Sequence, residues 1–110
     1  MTLDAIQKIC KSFPEVTEDI KWENHLCFNV GGKMFLITSP DSSPVTASFK
    51  TSEDKFDELI EREGFKPAPY LAKHKWVFLD NISRLSAKEG KELLALSYEI
   101  IRSKLPKKKK

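Results

Sequence analysis

The apolar residues of the chain recur every three or four positions in three segments, the spacing that places them on one face of a helix. The second segment follows a capping-box pattern of Thr51 with Asp54, and Gly64 is suited to end it in a left-handed turn. The third begins at a similar pattern, Ser86 with Glu89. The predicted helices span about residues 3–13, 52–63 and 86–105.

Between the helical segments, apolar and polar residues alternate, which is the period of a strand. The dipeptide Gly31-Gly32 is typical of a two-residue hairpin turn, because both central residues of such a turn need positive φ. Pairing Val30 with Lys33 across this turn predicts one core-facing set, which consists of Leu26, Phe28, Val30, Phe35 and Ile37. Strands are predicted at about residues 25–30, 33–38, 45–50 and 75–80, with an irregular or edge strand at 65–71.

Residues 14–24 show no clear periodicity and carry four carboxylates, which predicts an acidic surface loop. The predicted order of elements is then α-β-β-β-α-β-β-α. This order lacks the regular alternation of strand and helix that a parallel sheet requires. The predicted fold class is therefore α+β, with helices covering one face of an antiparallel sheet.

Length and composition describe one globular domain. A chain of 110 residues has the length of an ordinary domain, and 10% aromatic residues is too many for a disordered chain. We expect a single domain over residues 1–106 and a disordered basic tail at residues 107–110. No apolar stretch approaches the ~18 residues of a membrane span, and the N-terminus lacks the apolar block of a secretory signal. The expected compartment is the cytoplasm.

The residues that carry catalytic or metal chemistry form no known constellation. There is no GxSxG nucleophile elbow and no glycine-rich phosphate loop. Cys10 and Cys27 are too far apart for a CxxC motif and lie in apolar patterns, so we expect buried, reduced thiols. His25 and His74 match no metal-ligand spacing, and the acidic segment is expected to remain hydrated. We therefore expect no enzymatic activity, no catalytic residue, no metal and no cofactor.

A local basic run, Lys73-His74-Lys75, stands directly before the apolar run that starts at Trp76. The net charge of the chain is +3 and becomes −1 without its last four lysines, so affinity for nucleic acid would come from a local patch or the tail. If Trp76 points to the core, the two lysines join Lys50 on the opposite sheet face and can bind phosphates. If Trp76 faces outward, it forms a stacking platform beside His74. A third reading is a solvated strand end with no ligand.

Five short motifs, taken in order, resemble the MmcQ/YjbR family of small bacterial proteins. They are Phe13-Pro14 before the acidic segment, Gly32-Lys33-Met34-Phe35, Phe49-Lys50, Pro69-Tyr70 with Lys73, His74 and Trp76, and Ser97-Tyr98 with Lys104-Leu105-Pro106. The resemblance implies a two-layer α/β sandwich with an antiparallel sheet, similar to secretion-chaperone-like and frataxin-like folds. It also implies DNA binding, the activity by which family members are commonly described.

One departure from the family pattern changes what can be carried over. The family usually shows Asn, then Lys and a second basic residue, then His-Trp, whereas this chain has Ala72 at the first place and Lys75 before Trp76. The Asn is lost and His74 no longer adjoins the tryptophan. Lys73 and Trp76 are therefore the positions to which the resemblance assigns a role.

Two functions from different classes follow. The first is a DNA-binding protein of low specificity, whose predicted contact residues are Lys50, Tyr70, Lys73, His74, Lys75 and Trp76. The alternative is a protein-interaction or chaperone-like module that binds a partner on an open sheet face or edge strand. That face would be made moderately apolar by Cys27, Met34, Leu36, Val77 and Leu79. In either case we expect a monomer or a weak homodimer.

Overall fold

A computed structural model describes residues 1–69 and 71–105 of the chain. The predicted contact residue Tyr70 and the predicted tail at 107–110 lie outside the described residues. The helices are α1 Leu3–Lys11, α2 Glu53–Leu59 and α3 Ala87–Ser103, and short 3₁₀ helices occupy Ala72–His74 and Ile82–Arg84. The strands are β1 Val16–Lys21, β2 His25–Val30, β3 Lys33–Ser39, β4 Thr46–Lys50, β5 Phe65–Pro67 and β6 Trp76–Leu79.

In the described part of the chain, the strands form a single sheet in the order β1-β2-β3-β4-β6-β5. Every neighbouring pair is antiparallel. Apolar side chains of all three helices join those of one sheet face in a common core. The α+β fold class with an antiparallel sheet is confirmed. The prediction of an edge strand around residues 65–71 also holds, because β5 pairs with β6 alone.

The acidic segment is not a loop, and this prediction was wrong. It forms β1, the other edge of the sheet, in which Val16 pairs with Val30. The charged residues of this strand interrupt the apolar alternation by which a strand is recognised. They are tolerated because they lie at an exposed edge, where they can be solvated and can pair with other charges. Lys21 lies 3.3 Å from Asp19, and Glu18 is reached from α1 by Lys11 at 3.2 Å.

The helix starts are set by side-chain caps. Ser86 accepts a hydrogen bond from the Glu89 amide, as the capping-box pattern predicts. The second helix differs from the prediction, because its cap is Ser52 rather than Thr51. Thr51 is buried and its hydroxyl donates to the Lys75 carbonyl at 2.9 Å. That contact ties the end of β4 to the segment before β6.

The hairpin of β2 and β3 pairs Val30 with Lys33, as predicted, but its register shifts by one residue at a β-bulge. Phe28 pairs with Leu36, and Asn29 pairs with Met34, so Phe35 is the extra residue of the bulge. Beyond the bulge the faces exchange relative to a regular hairpin. The predicted core position of Ile37 is therefore wrong, and the core instead receives two residues assigned to the other face, Leu36 and Thr38.

The bulge interrupts the ladder of hydrogen bonds between β3 and β4, and one hydroxyl group of α3 bridges the interruption. The last paired residues of the two strands are Leu36 and Phe49. The next backbone groups are bridged by Ser97, whose hydroxyl donates to the Phe35 carbonyl at 2.5 Å and accepts from the Lys50 amide at 3.1 Å. Ser97 is fully buried. A helix side chain therefore fixes the end of β4.

Two further contacts fix α3 against the rest of the fold. The Tyr98 hydroxyl donates to the Pro14 carbonyl at 2.6 Å, and the Tyr98 ring packs edge-on against Phe35. Arg62, just after α2, makes two hydrogen bonds to the Glu89 carboxylate in the first turn of α3, at 2.5 and 3.2 Å. Among the helices that the structure describes, none has the length and apolar character needed to cross a membrane.

Candidate anion-binding site

The basic run is not the beginning of a strand. Residues 72–74 form a 3₁₀ helix, and Lys75 ends it in the left-handed conformation with φ 64°. Strand β6 begins only at Trp76. The alternation that was predicted to place Lys73 and Lys75 together on one sheet face therefore does not apply.

The sequence left two orientations of β6 open, and in the structure Val77 and Leu79, rather than Trp76 and Phe78, lie on the face toward the helices. Val77 and Leu79 belong to the core beneath the helices. Trp76 pairs with Lys50 and Phe78 pairs with Ser48, so both aromatic residues lie on the opposite face. Trp76 is nevertheless only 6% exposed. It is not available as a stacking platform for a base.

The two lysines of the basic run take separate paths. The Lys75 ammonium lies 4.9 Å from the centre of the Phe56 ring and 4.0 Å from a carboxylate oxygen of Glu53, and both partners belong to α2. Lys73 is exposed on the 3₁₀ helix. The structure thus does not bring Lys73 and Lys75 into one sheet surface.

A different set of basic residues does converge. At one end of the sheet, strand ends and the C-terminal end of α3 line an open cavity of about 230 Å³. Three lysines dominate its lining, and no carboxylate of the described residues belongs to it. The lining residues are Lys33, Lys50, His74, Trp76, Ile101 and Lys104.

Each of the four basic residues of the lining lies at the end of a helix or strand. Lys33 is the first residue after the Gly31-Gly32 turn, and Lys50 is the last residue of β4. Lys104 is the C-cap of α3, and His74 ends the 3₁₀ helix. Because these elements all begin or end at the same end of the sheet, residues from distant parts of the sequence share one site.

The electrostatics of the site are dominated by uncompensated positive charge. Burial, together with the nearby charges of Lys104 and Lys75, lowers the pKa of Lys50 below its ordinary value of 10.5. The Lys50 ammonium also donates a hydrogen bond to the His74 carbonyl. Within residues 1–69 and 71–105, no carboxylate forms an ion pair with Lys33, Lys50 or Lys104. An anion would remove this mutual repulsion.

The C-terminal end of α3 has the opposite sign but does not reverse the balance. A helix C-terminus carries roughly half a negative charge. Lys104 stands at that terminus, and two more ammonium groups line the same cavity. The net field in the cavity therefore favours an anion.

Sequence reasoning located half of this lining and missed the other half. Lys50, His74 and Trp76 were predicted contact residues, and they do meet. Lys33 and Lys104 were not predicted, although both stand in motifs that carry the family resemblance. Their positions beside a Gly-Gly turn and after the last helix were the available signal.

The remaining reactive side chains do not form a second site. Cys10 and Cys27 are buried, and burial is the main cause that raises both thiol pKa values, that of Cys10 to about 12. His25 and His74 lie at opposite ends of the sheet, because His25 opens β2 at the end away from the Gly-Gly turn. Among the described residues, no three His, Cys, Asp or Glu side chains lie close enough together to hold a metal ion.

Four of the five residues predicted to form an apolar partner face are not accessible to a partner. Cys27, Leu36, Val77 and Leu79, which were assigned to it, are all completely buried. In the part of the chain that the structure describes, the exposed large apolar side chains lie elsewhere, at the edge strand β1 and the turn that follows it. They are Ile20, 57% exposed, and Trp22, 62% exposed.

Comparison with known proteins agrees with this fold. The YjbR family model matches residues 11–100. A crystal structure of a Deinococcus radiodurans protein with a DUF419 domain superposes with a TM-score of 0.84 at 25% identity, over 94% of this chain and 80% of that one. A protein from Pseudomonas syringae gives a TM-score of 0.74 at 17% identity, over 91% and 98% of the two chains. No curated protein matches the chain. The family model covers most of the sequence, and the chain belongs to the YjbR family.

Proposed function

We propose that this protein binds nucleic acid with low sequence specificity and holds phosphate groups at the lysine-lined cavity. The observation that carries the proposal is the convergence of Lys33, Lys50 and Lys104 on one concave site to which residues 1–69 and 71–105 contribute no carboxylate. Phosphate oxygens are the commonest protein contacts in nucleic-acid complexes, and they position the protein without reporting sequence. The family resemblance points to the same class of ligand. No catalytic step is part of this proposal.

The fold supports low specificity rather than base recognition. Sequence-specific readers commonly place a helix in the major groove. Here the longest helix, α3, buries six residues against the core, among them Leu94, Ser97 and Tyr98. Trp76 is too buried to stack on a base. Affinity would therefore come mainly from phosphate contacts and would depend on salt.

The size of the salt dependence follows from the number of lysines. Each phosphate contact contributes about 0.9 to the slope of log affinity against log salt for a duplex, and about 0.7 for a single strand. Three cavity lysines therefore predict a contribution of roughly −2 to −3 to that slope. Fluorescence anisotropy with labelled single-stranded and duplex oligonucleotides, between ~50 and ~200 mM salt, measures it.

The matched control separates this site from charge in general. In the test variant Lys33, Lys50 and Lys104 are each changed to Gln. In the control variant the same change is made at three exposed lysines that do not line the cavity, Lys8, Lys88 and Lys91. Both variants keep the C-terminal lysines and have the same net charge. The proposal requires the test variant to lose most of the salt-dependent affinity and the control to lose little. Equal losses, or no binding by the unmodified protein at ~50 mM salt, would refute it.

A second candidate function is supported by the exposed apolar residues of β1. An edge strand offers unpaired backbone groups to another chain. If a second copy pairs antiparallel with its centre at Ile20, Asp19 of each copy faces Lys21 of the other, and the two Ile20 side chains meet. The charges are thus self-complementary in this register, and the result is a weak homodimer.

Sedimentation velocity over a range of protein concentrations tests this second function. Ile20→Lys places two like charges at the centre of the interface and should leave a monomer at every concentration. Lys11→Gln, which changes a neighbouring charge outside β1, is the control and should still dimerise. A monomer in the unmodified protein at high concentration removes the candidate.

A further inference from the structure

We infer that the lysine-lined cavity selects the terminal phosphate monoester of an unpaired nucleic-acid strand over the internal phosphodiesters of a duplex. This inference rests on the proposed function and specifies its ligand. It follows from the size, the charge and the apolar wall of the cavity.

The size of the cavity suits a strand end better than a duplex. Its volume of about 230 Å³ lies just below the ~300–1,000 Å³ of typical small-molecule sites. A phosphate group with an attached sugar is of this scale, whereas a duplex presents its phosphates on a broad convex surface.

The charge of the cavity is better matched by a monoester than by a diester. A phosphate monoester carries about −1.5 to −2 at neutral pH, because its second pKa is about 6. Each internal phosphodiester carries a single negative charge. Lys33, Lys50 and Lys104 together offer three ammonium groups, so the second charge of a monoester finds a partner that a diester leaves unused. Burial first, and then the neighbouring charges of Lys104 and Lys75, lower the pKa of Lys50.

The wall of the cavity explains why the selected unit is a phosphate with its sugar rather than a base. Trp76 and Ile101 line the apolar side, and they are only 6% and 8% exposed. The small exposed apolar area of these two side chains can contact a sugar but is too small for a base to stack on. His74 also belongs to the lining, and its backbone carbonyl accepts a hydrogen bond from the Lys50 ammonium.

Three single strands of one sequence test the inference: one with a 5′-phosphate, one with a 3′-phosphate and one with neither. Their affinities are compared by anisotropy with that of the matching duplex at one salt concentration. One additional charge contact at a partly exposed site changes affinity by about 3- to 5-fold. We expect at least one phosphorylated strand to bind more tightly than the unphosphorylated strand by this factor, and the duplex to bind no more tightly than the unphosphorylated strand.

Two variants locate the effect. Lys50→Gln should abolish the advantage of the terminal phosphate, and so should the double variant Lys33→Gln with Lys104→Gln, which leaves the end of β4 unchanged. In a Trp22→Phe background, the fluorescence of Trp76 reports on the cavity directly, because Trp22 is the other tryptophan of the chain. It should change more with a phosphorylated strand than with an unphosphorylated one.

The failures of the two proposals are distinguishable. If all three strands bind equally and the cavity variants weaken all of them, the inference is overturned while nucleic-acid binding stands. If no strand binds, the proposed function itself fails. If a nucleoside monophosphate or inorganic phosphate competes as strongly, mole for mole, as the phosphorylated strand, the ligand is a free phosphate and the assignment to a strand end is wrong.

Discussion

Replacement of Ser97 by alanine is the sharpest test of how the fold builds the cavity. The Ser97 hydroxyl donates to the Phe35 carbonyl at 2.5 Å and accepts from the Lys50 amide at 3.1 Å, and the residue is fully buried. Ser97→Ala removes both bonds and supplies neither a donor nor an acceptor. Because the β-bulge leaves these two backbone groups without a ladder partner, they would remain buried and unpaired.

The magnitude follows from the two groups. A buried polar group that loses its partner costs about 1–3 kcal/mol. Two such groups, with some relaxation, give an expected loss of roughly 2–4 kcal/mol in the free energy of unfolding. A domain of this size has a total stability of about 5–15 kcal/mol, so the variant should lose a substantial share of it.

Urea denaturation followed by circular dichroism measures this loss, and Ser103→Ala is the matched control on the same helix. Ser103 donates only to the Ile100 carbonyl at an exposed position, so its replacement should change stability by less than about 0.5 kcal/mol. In addition, the Lys50 amide of Ser97→Ala should exchange its hydrogen faster than in the unmodified protein. The reasoning is refuted if Ser97→Ala is no more destabilising than Ser103→Ala.

Three further predictions concern single contacts. Tyr98→Phe removes the hydrogen bond to a main-chain carbonyl after α1 and should lower the free energy of unfolding by about 1 kcal/mol in the same denaturation assay. The hydrogen bonds from Arg62 hold the pKa of Glu89 below its ordinary 4.5, so the stability they supply is present above pH 4.5 and is lost as the pH falls further. Glu89→Gln should therefore show a shallower loss of stability with acid in thermal melts over that range, and an equally steep loss would contradict this role of the ion pair. Burial and the charge of Lys104 lower the pKa of Lys50, so Lys104→Gln should raise the pKa of Lys50. NMR titration of the lysine side chains measures this change, and an unchanged pKa would contradict the prediction.

The parts of the fold that the sequence predicts well are those with local physical causes. The Gly31-Gly32 turn is specified by the need for positive φ, and both glycines have it. The cap of α3 at Ser86 is specified by the orphan amides of the first turn, and its hydroxyl accepts one of them. Such signals involve residues within four positions of each other and need no knowledge of the tertiary structure.

The errors arise where tertiary contacts override local preference. The sequence predicts a loop at β1 because Glu18 and Asp19 interrupt its apolar residues. Pairing with β2 nevertheless stabilises a strand there. Lys75 was placed in a strand, but it adopts a left-handed conformation while its carbonyl accepts hydrogen bonds from Thr51. A single-residue bulge at Phe35 was enough to exchange the faces of β3.

The site was only partly predictable for the same reason. Lys50, His74 and Trp76 lie within a segment whose charge pattern stands out in the sequence, and they do line the cavity. Lys33 and Lys104 come from opposite halves of the chain, and only the packing of α3 over the hairpin brings them together. No local pattern contains that information.

The most direct test of the central claim is an NMR titration of the protein with a short single-stranded oligonucleotide that carries a terminal phosphate. The account predicts that the largest chemical-shift changes occur at Lys33, Lys50 and Lys104, and that they vanish as salt is raised. Changes concentrated at Ile20 and Trp22, or spread evenly over the surface, would contradict the claim that this cavity is the phosphate-binding site.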